Sequence, residues 1–267
     1  MSKANLPKVL KSKTPKVYKN KKLNTANFGD FNLTDYQVFL HLISKIGGVD
    51  VNGKYLQSEQ LQREHTLTAQ EFSKMFNADL PNSYGTLHKV CKKLMKTSLT
   101  IEKPEFSETW EINVCSTAKY NKTAGSISIK FTDDIMPYLA QVKEKFVLYN
   151  LKEISNFGSL YTTRLYELLQ EYKETGWMLK SFVQLREAFA VGDYKFKLYK
   201  DFKKYTFAHA CKEINANYDM NLNFEEIKEG RKVAAIKFTF KKIIIKQVTS
   251  NLTGLTRNIY SKYDKNN

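Results

Sequence analysis

Read along the chain, the pattern of apolar and polar residues spells three helices and a hairpin, and then spells them again; that repeated order constrains the fold more than any other feature. In the first pass, Thr34-x-x-Gln37 reads as a capping box, and Tyr36, Phe39, Leu40 and Ile43 follow at helical spacing up to Gly47-Gly48. A second box, Thr68-x-x-Glu71, opens a short helix through Phe72 and Phe76. A turn around Pro81-Asn82-Ser83 leads into a third helix, with Leu87, Val90, Cys91, Leu94 and Met95 as its apolar stripe. Two alternating segments, Trp110–Val114 and Ile127–Phe131, then read as a hairpin with a long polar tip containing Gly125.

The second pass follows a connecting stretch at about 133–158. Ser159 precedes a helix carrying Tyr161, Leu165, Leu168, Leu169 and Tyr172, and Gly176 stands where that helix should stop. Ser181-x-x-Gln184 is a third capping box, opening a short helix through Leu185 and Phe189. One long helix is expected from about Tyr199 to Tyr218, followed by strands over Met220–Ile227 and Lys232–Phe240 joined at Glu229-Gly230. The closing strands share a tetrapeptide, Ile129-Lys-Phe-Thr132 and Ile236-Lys-Phe-Thr239, at the same place in the order of elements, which favours internal duplication. Three helices and a hairpin in this order make a winged helix, whose third helix lies in the major groove while the hairpin rides the backbone.

The expected architecture is therefore α+β, two tandem winged-helix domains at residues 30–150 and 151–245, which suits a chain of 267 residues. The first is read as a DNA-binding or dimerisation unit and the second as the sequence-specific one. A basic tail, 1–29, and a polar tail, 246–267, flank them. Residues 1–22 hold eight lysines and no acid, half of the formal charge of +16; so dense a run of like charge is expected to be disordered and to attract polyanions, a solvated tail without a role being the alternative. No apolar region follows it as in a secretory signal, and no stretch reaches the length of a membrane span, so a soluble cytoplasmic protein is expected.

The basic residues concentrate where a winged helix would meet DNA. Between 193 and 212 six lysines face two acids, a net of +4. On a continuous helix, Ala210, Cys211, Ile214 and Tyr218 share the face of Phe207, and running back along that face gives Lys200, Lys203 and Lys204. Lysines are seldom buried unpaired, so the N-terminal turns are expected to project beyond the core towards a groove, with Lys195 and Lys197 just upstream. The wing turn places Arg231 and Lys232 beside Gly230, suited to phosphate. The bland alternative is a solvated lysine face. In the first unit Lys89, Lys92, Lys93 and Lys96 line the third helix and Lys119 and Lys122 the wing; DNA binding and pairing with a second subunit through an open strand edge both remain open there.

Other chemistries fail on inspection. Gly48-Val-Asp-Val-Asn-Gly53-Lys54 resembles a phosphate loop, but Tyr55 stands where a magnesium-binding hydroxyl is needed, and Asn52-Gly53 is a better hairpin turn. Cys91, Cys115 and Cys211 form no metal knuckle or disulfide framework. His41, His65, His88 and His209 offer no His-x-His pair for a nicking enzyme's metal. Asp133-Asp134 is read as favouring a helix N-terminus, and neighbouring strand residues Glu225 and Glu226 point to opposite faces. No catalytic residue, metal site or cofactor is expected.

Leu160-Tyr-Thr-Thr-Arg-Leu-Tyr-Glu-Leu-Leu-Gln-Glu-Tyr172, Asp201-Phe-Lys-Lys204, Lys212-Glu-Ile-Asn215 and Gly230-Arg-Lys-Val-Ala-Ala-Ile-Lys-Phe-Thr-Phe240 resemble, as an ordered set, the initiator replication proteins of iteron-bearing, theta-replicating bacterial plasmids. The resemblance covers about residues 30–242. It implies a monomer that binds directly repeated duplex DNA at the origin, in equilibrium with a homodimer that often represses its own gene. It also implies host partners: the initiator ATPase, the replicative helicase and DnaK-type chaperones. By position, Lys203 and Lys204 fall where the family places base-reading or phosphate-binding residues, and Arg231 falls in its wing. Lysine stands here where relatives often carry arginine. Two other functions fit a DNA-binding chain: a dimeric repressor with no initiator role, and a rolling-circle nickase using one of the tyrosines.

Overall fold

The computed structural model describes residues 15–241 apart from 27, 49, 51–55, 104–106, 140–145 and 193. The first fourteen residues of the basic tail, the Asn52-Gly53 turn and the polar tail at 246–267 lie outside the described residues.

The chain opens with β1 (Lys16–Asn20) and α1 (Lys22–Thr25). From Lys16 onward, then, the stretch expected as a tail is folded. β1 pairs antiparallel with β7 (Phe146–Asn150), Val17 opposite Tyr149 and Lys19 opposite Val147. Val17, Leu23, Ala26 and Phe28 are buried. Counting charge missed this, because one of the lysines, Lys19, is neutralised by a glutamate far along the chain (below).

The first unit consists of α2 (Leu33–Ser44), β2 (Glu64–Thr68), α3 (Ala69–Phe76), α4 (Leu80–Leu94), the hairpin β3 (Ser98–Lys103) and β4 (Glu108–Asn113), and the wing β5 (Cys115–Asn121) and β6 (Ser126–Phe131). α2 is capped by Asn32 and not by Thr34: the Asn32 side chain accepts from the Asp35 amide, and the Asp35 carboxylate accepts from the Asn32 amide, both at 2.9 Å. The reciprocal box at Thr68 and Glu71 forms as read. Pro81 lies inside the first turn of α4, where a missing N–H costs nothing, so the helix starts earlier than the expected turn allowed. The wing differs too. Trp110 pairs with Ile101 in a separate hairpin, and Ile127–Phe131 pairs instead with β5 and β2.

A short α5 (Met136–Leu139) and β7 lead into the second unit: α6 (Leu160–Glu171), β8 (Trp177–Ser181), α7 (Phe182–Ala188), α8 (Tyr199–Tyr205), α9 (Phe207–Asn217), β9 (Asn223–Glu229) and β10 (Lys232–Thr239). The helix expected over 199–218 breaks at Thr206, whose φ of −112° and ψ of −102° are not helical. The buried Thr206 hydroxyl bonds back to the Phe202 carbonyl at 2.6 Å, and the helix restarts at Phe207. The face drawn from Phe207 back to Lys200 therefore does not carry across the break. Below it, Phe207, Ala210, Cys211 and Ile214 are buried as read.

The duplication extends to sheet topology. The strand orders are β2-β6-β5 and β8-β10-β9, so the strand before the short second helix pairs with the closing strand in both units. The shared tetrapeptide begins in both central strands, and Ile129, Phe131, Ile236 and Phe238 are all fully buried. These four side chains alone are worth roughly 1.5–3 kcal/mol each in burial.

The two units meet along α2, α6, β1, β7 and the segment around α1, over a buried charged cluster. Lys19 Nζ lies 2.5 Å from Glu167 Oε1 with both side chains fully buried. Tyr36 donates to the other Glu167 oxygen at 2.6 Å and Tyr149 to the first at 2.5 Å. Three residues before Glu167 on α6, Arg164 spends its guanidinium on the carbonyls of Ala188, Leu23, Asn24 and Ala26 and on the Tyr36 hydroxyl, at 2.7–3.3 Å. Burial pulls the Lys19 ammonium below the usual lysine range, with Glu167 opposing, and burial with the Glu167 charge pushes Tyr36 and Tyr149 up.

His41 shows the same physics without a partner. It is buried on α2, its Nδ1 has no hydrogen-bond partner among the described residues, and its ring meets the edge of Phe76. Burial, with Lys45 nearby, lowers its pKa to about 4 from 6.5. The unfolded chain binds a proton there below pH 6.5 and the folded chain does not, so stability falls as pH drops from about 6.5 to about 4. The loss approaches about 3 kcal/mol at the acid end. Urea unfolding across that range should show the slope in the wild type and a shallower one in His41→Met, with His65, also lowered by burial, keeping a share; equal slopes would place the titration elsewhere.

Candidate nucleic-acid interface

α7, the loop 189–198 and α8 form the helix–turn–helix of the second unit, and the turn is built around Arg186. Its guanidinium donates to the carbonyls of Gly192, Lys195 and Phe196 at 2.8–3.1 Å, holding a loop in which Ala190 and Phe196 both take a left-handed φ of 50°. Lys195 crosses the rings of Tyr161 and Phe196, Phe196 stacks on Tyr205, and Lys204 lies 4.8 Å above the Tyr205 ring. Cationic heads on aromatic platforms keep their charge exposed while their stems pack. Lys195, Lys197, Lys200 and Lys204 are exposed and form no ion pair among the described residues.

Lys203 behaves differently. Its Nζ sits 2.7 Å from Glu226 Oε1 on β9 and 5.3 Å over the ring of Phe224. The hydroxyl of Tyr199, one helical turn earlier, donates to the same Glu226 oxygen at 2.8 Å. The helix is thus tied to the wing strand by two side chains on one carboxylate, and Lys203 is not a free cation. At the wing tip Gly230 has a φ of +60° with open space around it, and Arg231 and Lys232 beside it are exposed.

In the first unit Lys89 and Lys92 are exposed on α4, but Lys93 is not part of an open basic face. It bonds the Asp35 carboxylate at 2.7 Å and the Asp30 carbonyl at 2.8 Å, over the ring of Phe31, and so fastens α4 to the start of α2. The wing strand meets the helix through rings: His88 packs against Tyr120 at 4.4 Å and against Tyr84 on its other side. Lys119 is held by Glu64, while Lys122 is exposed at the tip.

Sequence reasoning passed over Arg186 and Glu226. The first carries no motif, since its acceptors are backbone carbonyls. The second was visible only as a strand acid on the opposite face to Glu225; that alternation, with Lys203 and Tyr199 at i and i−4, was the available signal. Among the described residues no group of three or more His, Cys, Asp or Glu gathers as a metal site, and no helix is long and apolar enough to cross a membrane. The three cysteines are buried, with burial raising each thiol.

Comparison with known proteins agrees with this architecture. Residues 16–170 match the family model described as "Initiator Replication protein, WH1", and residues 181–240 match "Initiator Rep protein, WH2". A "Replication initiation protein" of Escherichia coli is 26% identical over 190 residues, 66% of this chain and 56% of that protein. The "PI protein" of Escherichia coli is 26% identical over 150 residues, 50% of this chain and 49% of that one. The chain thus spans about half the length of the curated relatives it matches. The fold is shared with the Pi initiator protein, solved as a crystal structure in complex with iteron DNA, at a TM-score of 0.68 and 22% identity over 86% of this chain and 98% of that chain. With both winged-helix parts matched in order along one chain, this protein belongs to the initiator replication protein family.

Proposed function

We propose that this chain is a plasmid replication initiator that binds directly repeated duplex sites at its origin. The observation that carries the proposal is the pairing of a helix and a wing in the second unit. α8 is tied to β9 through Glu226; α8 carries Lys200 and Lys204 exposed, and the turn after β9 and the start of β10 carry Arg231 and Lys232 exposed. Cations on a helix–turn–helix and on its wing are what phosphate contacts on both sides of a groove require. The loop lysines Lys195 and Lys197 extend that surface, while Lys89 and Lys92 offer a smaller one in the first unit. The iteron complex of the Pi initiator supports repeats as the target.

In this reading the protein is a binding protein with no catalytic residue and no cofactor. It works in the bacterial cytoplasm, helps recruit the host initiator ATPase and replicative helicase, has DnaK-type chaperones as further host partners, and exchanges between an origin-binding monomer and a homodimer that represses its own gene. The two winged-helix units serve as its working domains, the first including the strand and helix at 16–25 that pack against it. Footprinting on the DNA flanking the gene tests it: several evenly spaced protected repeats are expected, and a plasmid carrying only the gene and that flank should replicate. One protected palindrome without repeats, on a plasmid that is lost, would instead make the chain a dimeric repressor.

A further inference from the structure

Glu226 is an acid on β9, the strand to which the lysine-bearing helix α8 is tied, with Glu225 and Glu229 exposed on the same strand. Its side chain is 22% exposed, its oxygen accepts from both Tyr199 and Lys203, and the Lys203 hydrogen bond holds its carboxyl below the usual range, so it stays ionised at neutral pH. β9, which carries it, is an outer strand of its sheet, paired among the described residues with β10. Beyond that ladder, the bond to α8 and the contact of Phe224 with Phe207 hold the strand against the helices.

Two consequences follow for DNA. Nonspecific affinity comes from cations that reach phosphates and release counterions. A lysine already paired with a carboxylate adds nothing to that sum unless the pair breaks, and breaking it leaves a bare carboxylate facing a polyanion. The same carboxylate also fixes the spacing between helix and wing, which a matched site meets without rearrangement. We propose that Glu226 is a specificity-determining residue of the DNA-binding face, withholding Lys203 from the phosphates of arbitrary sequence and setting the helix-to-wing distance. This rests on the duplex-binding reading above.

The test is a set of salt titrations with the full chain on random duplex and on duplex carrying the flanking repeats. Glu226→Gln keeps an acceptor for Tyr199 but frees the lysine. On random duplex its log K against log[salt] slope should steepen by about 0.9, and its affinity near 0.15 M salt should rise roughly fivefold, one phosphate contact's worth. Affinity for the repeats should change less, so the ratio of specific to nonspecific binding falls. Lys203→Met/Glu226→Gln, which removes the pair without baring the carboxylate, should return the random-duplex slope to the wild-type value. An unchanged slope in Glu226→Gln, or a slope shallower than the wild type by about 0.9 in the double variant, overturns the proposal. If Glu226→Gln does not fold, the double variant decides by itself. A wild type that fails to prefer the repeats would count against the initiator reading instead, since the slopes are measured on any duplex.

Discussion

Replacing Arg164 with methionine is expected to destabilise the protein by about 3–5 kcal/mol and to lower its melting temperature by roughly 10 °C. Arg164 is 2% exposed, and its guanidinium serves four main-chain carbonyls and the Tyr36 hydroxyl. Methionine fills much of the volume but donates nothing, so buried carbonyls at Leu23, Asn24, Ala26 and Ala188 lose their partner and each regains its desolvation cost. Three of those four belong to the segment joining β1 to α2, so the loss falls on the joint between the two units as well as on α6. Glu167→Gln should act similarly, because it strands the fully buried Lys19 ammonium beside a neutral amide. Combining Glu167→Gln with Lys19→Met should cost much less than the sum of the two, since the second change removes the charge that the first left unpaired. Denaturant unfolding measures all four variants. A loss below about 1 kcal/mol in Arg164→Met would mean that water or a shifted backbone serves those carbonyls equally well.

This cluster also marks where sequence reading stopped. Capping boxes at Thr68/Glu71 and Ser181/Gln184 were legible because every atom they need lies within four residues. At the start of α2 two boxes competed, and Asn32 with Asp35 won two residues earlier than Thr34 with Gln37. The order of the helices and most of the buried faces of α4 and α9 were legible from periodicity, but Met95, read on the α4 stripe, is exposed, and the strands before α3 and α7 were not read. Strand partners were not: the Ser98–Lys103 strand alternates as clearly as the others, but nothing local says that Trp110 meets Ile101 and not a residue of β6. Periodicity is equally blind to one residue's ψ, and so ran through the break at Thr206. Among the lysines, residue type alone could not separate Lys204, which meets only Tyr205 and forms no ion pair among the described residues, from Lys203 and Lys93, whose acids lie 23 and 58 residues away. Lys19 is the extreme case: counted as tail charge, it is fully buried against a glutamate in the other unit.

Removing the exposed cations should have the largest effect on DNA. In Lys200→Ala/Lys204→Ala/Arg231→Ala/Lys232→Ala the helix and the wing each lose two charges, while Lys203, Glu226 and Tyr199 still hold the two elements together. All four positions are exposed, and none supports the core. If each touches one phosphate, the salt slope becomes shallower by about 3.6, and affinity near 0.15 M salt falls by roughly a thousandfold. The loss should be similar for random and repeat-bearing duplex, because phosphate contacts position the protein without reading sequence. Splitting the set sharpens the result. The helix pair and the wing pair should each take about half of the slope, whereas the pair Lys89→Ala/Lys92→Ala in the first unit reports that unit's share separately. Unchanged thermal unfolding would show that the fold is intact, and an unchanged slope in the fourfold variant would move the DNA-binding face away from α8 and its wing.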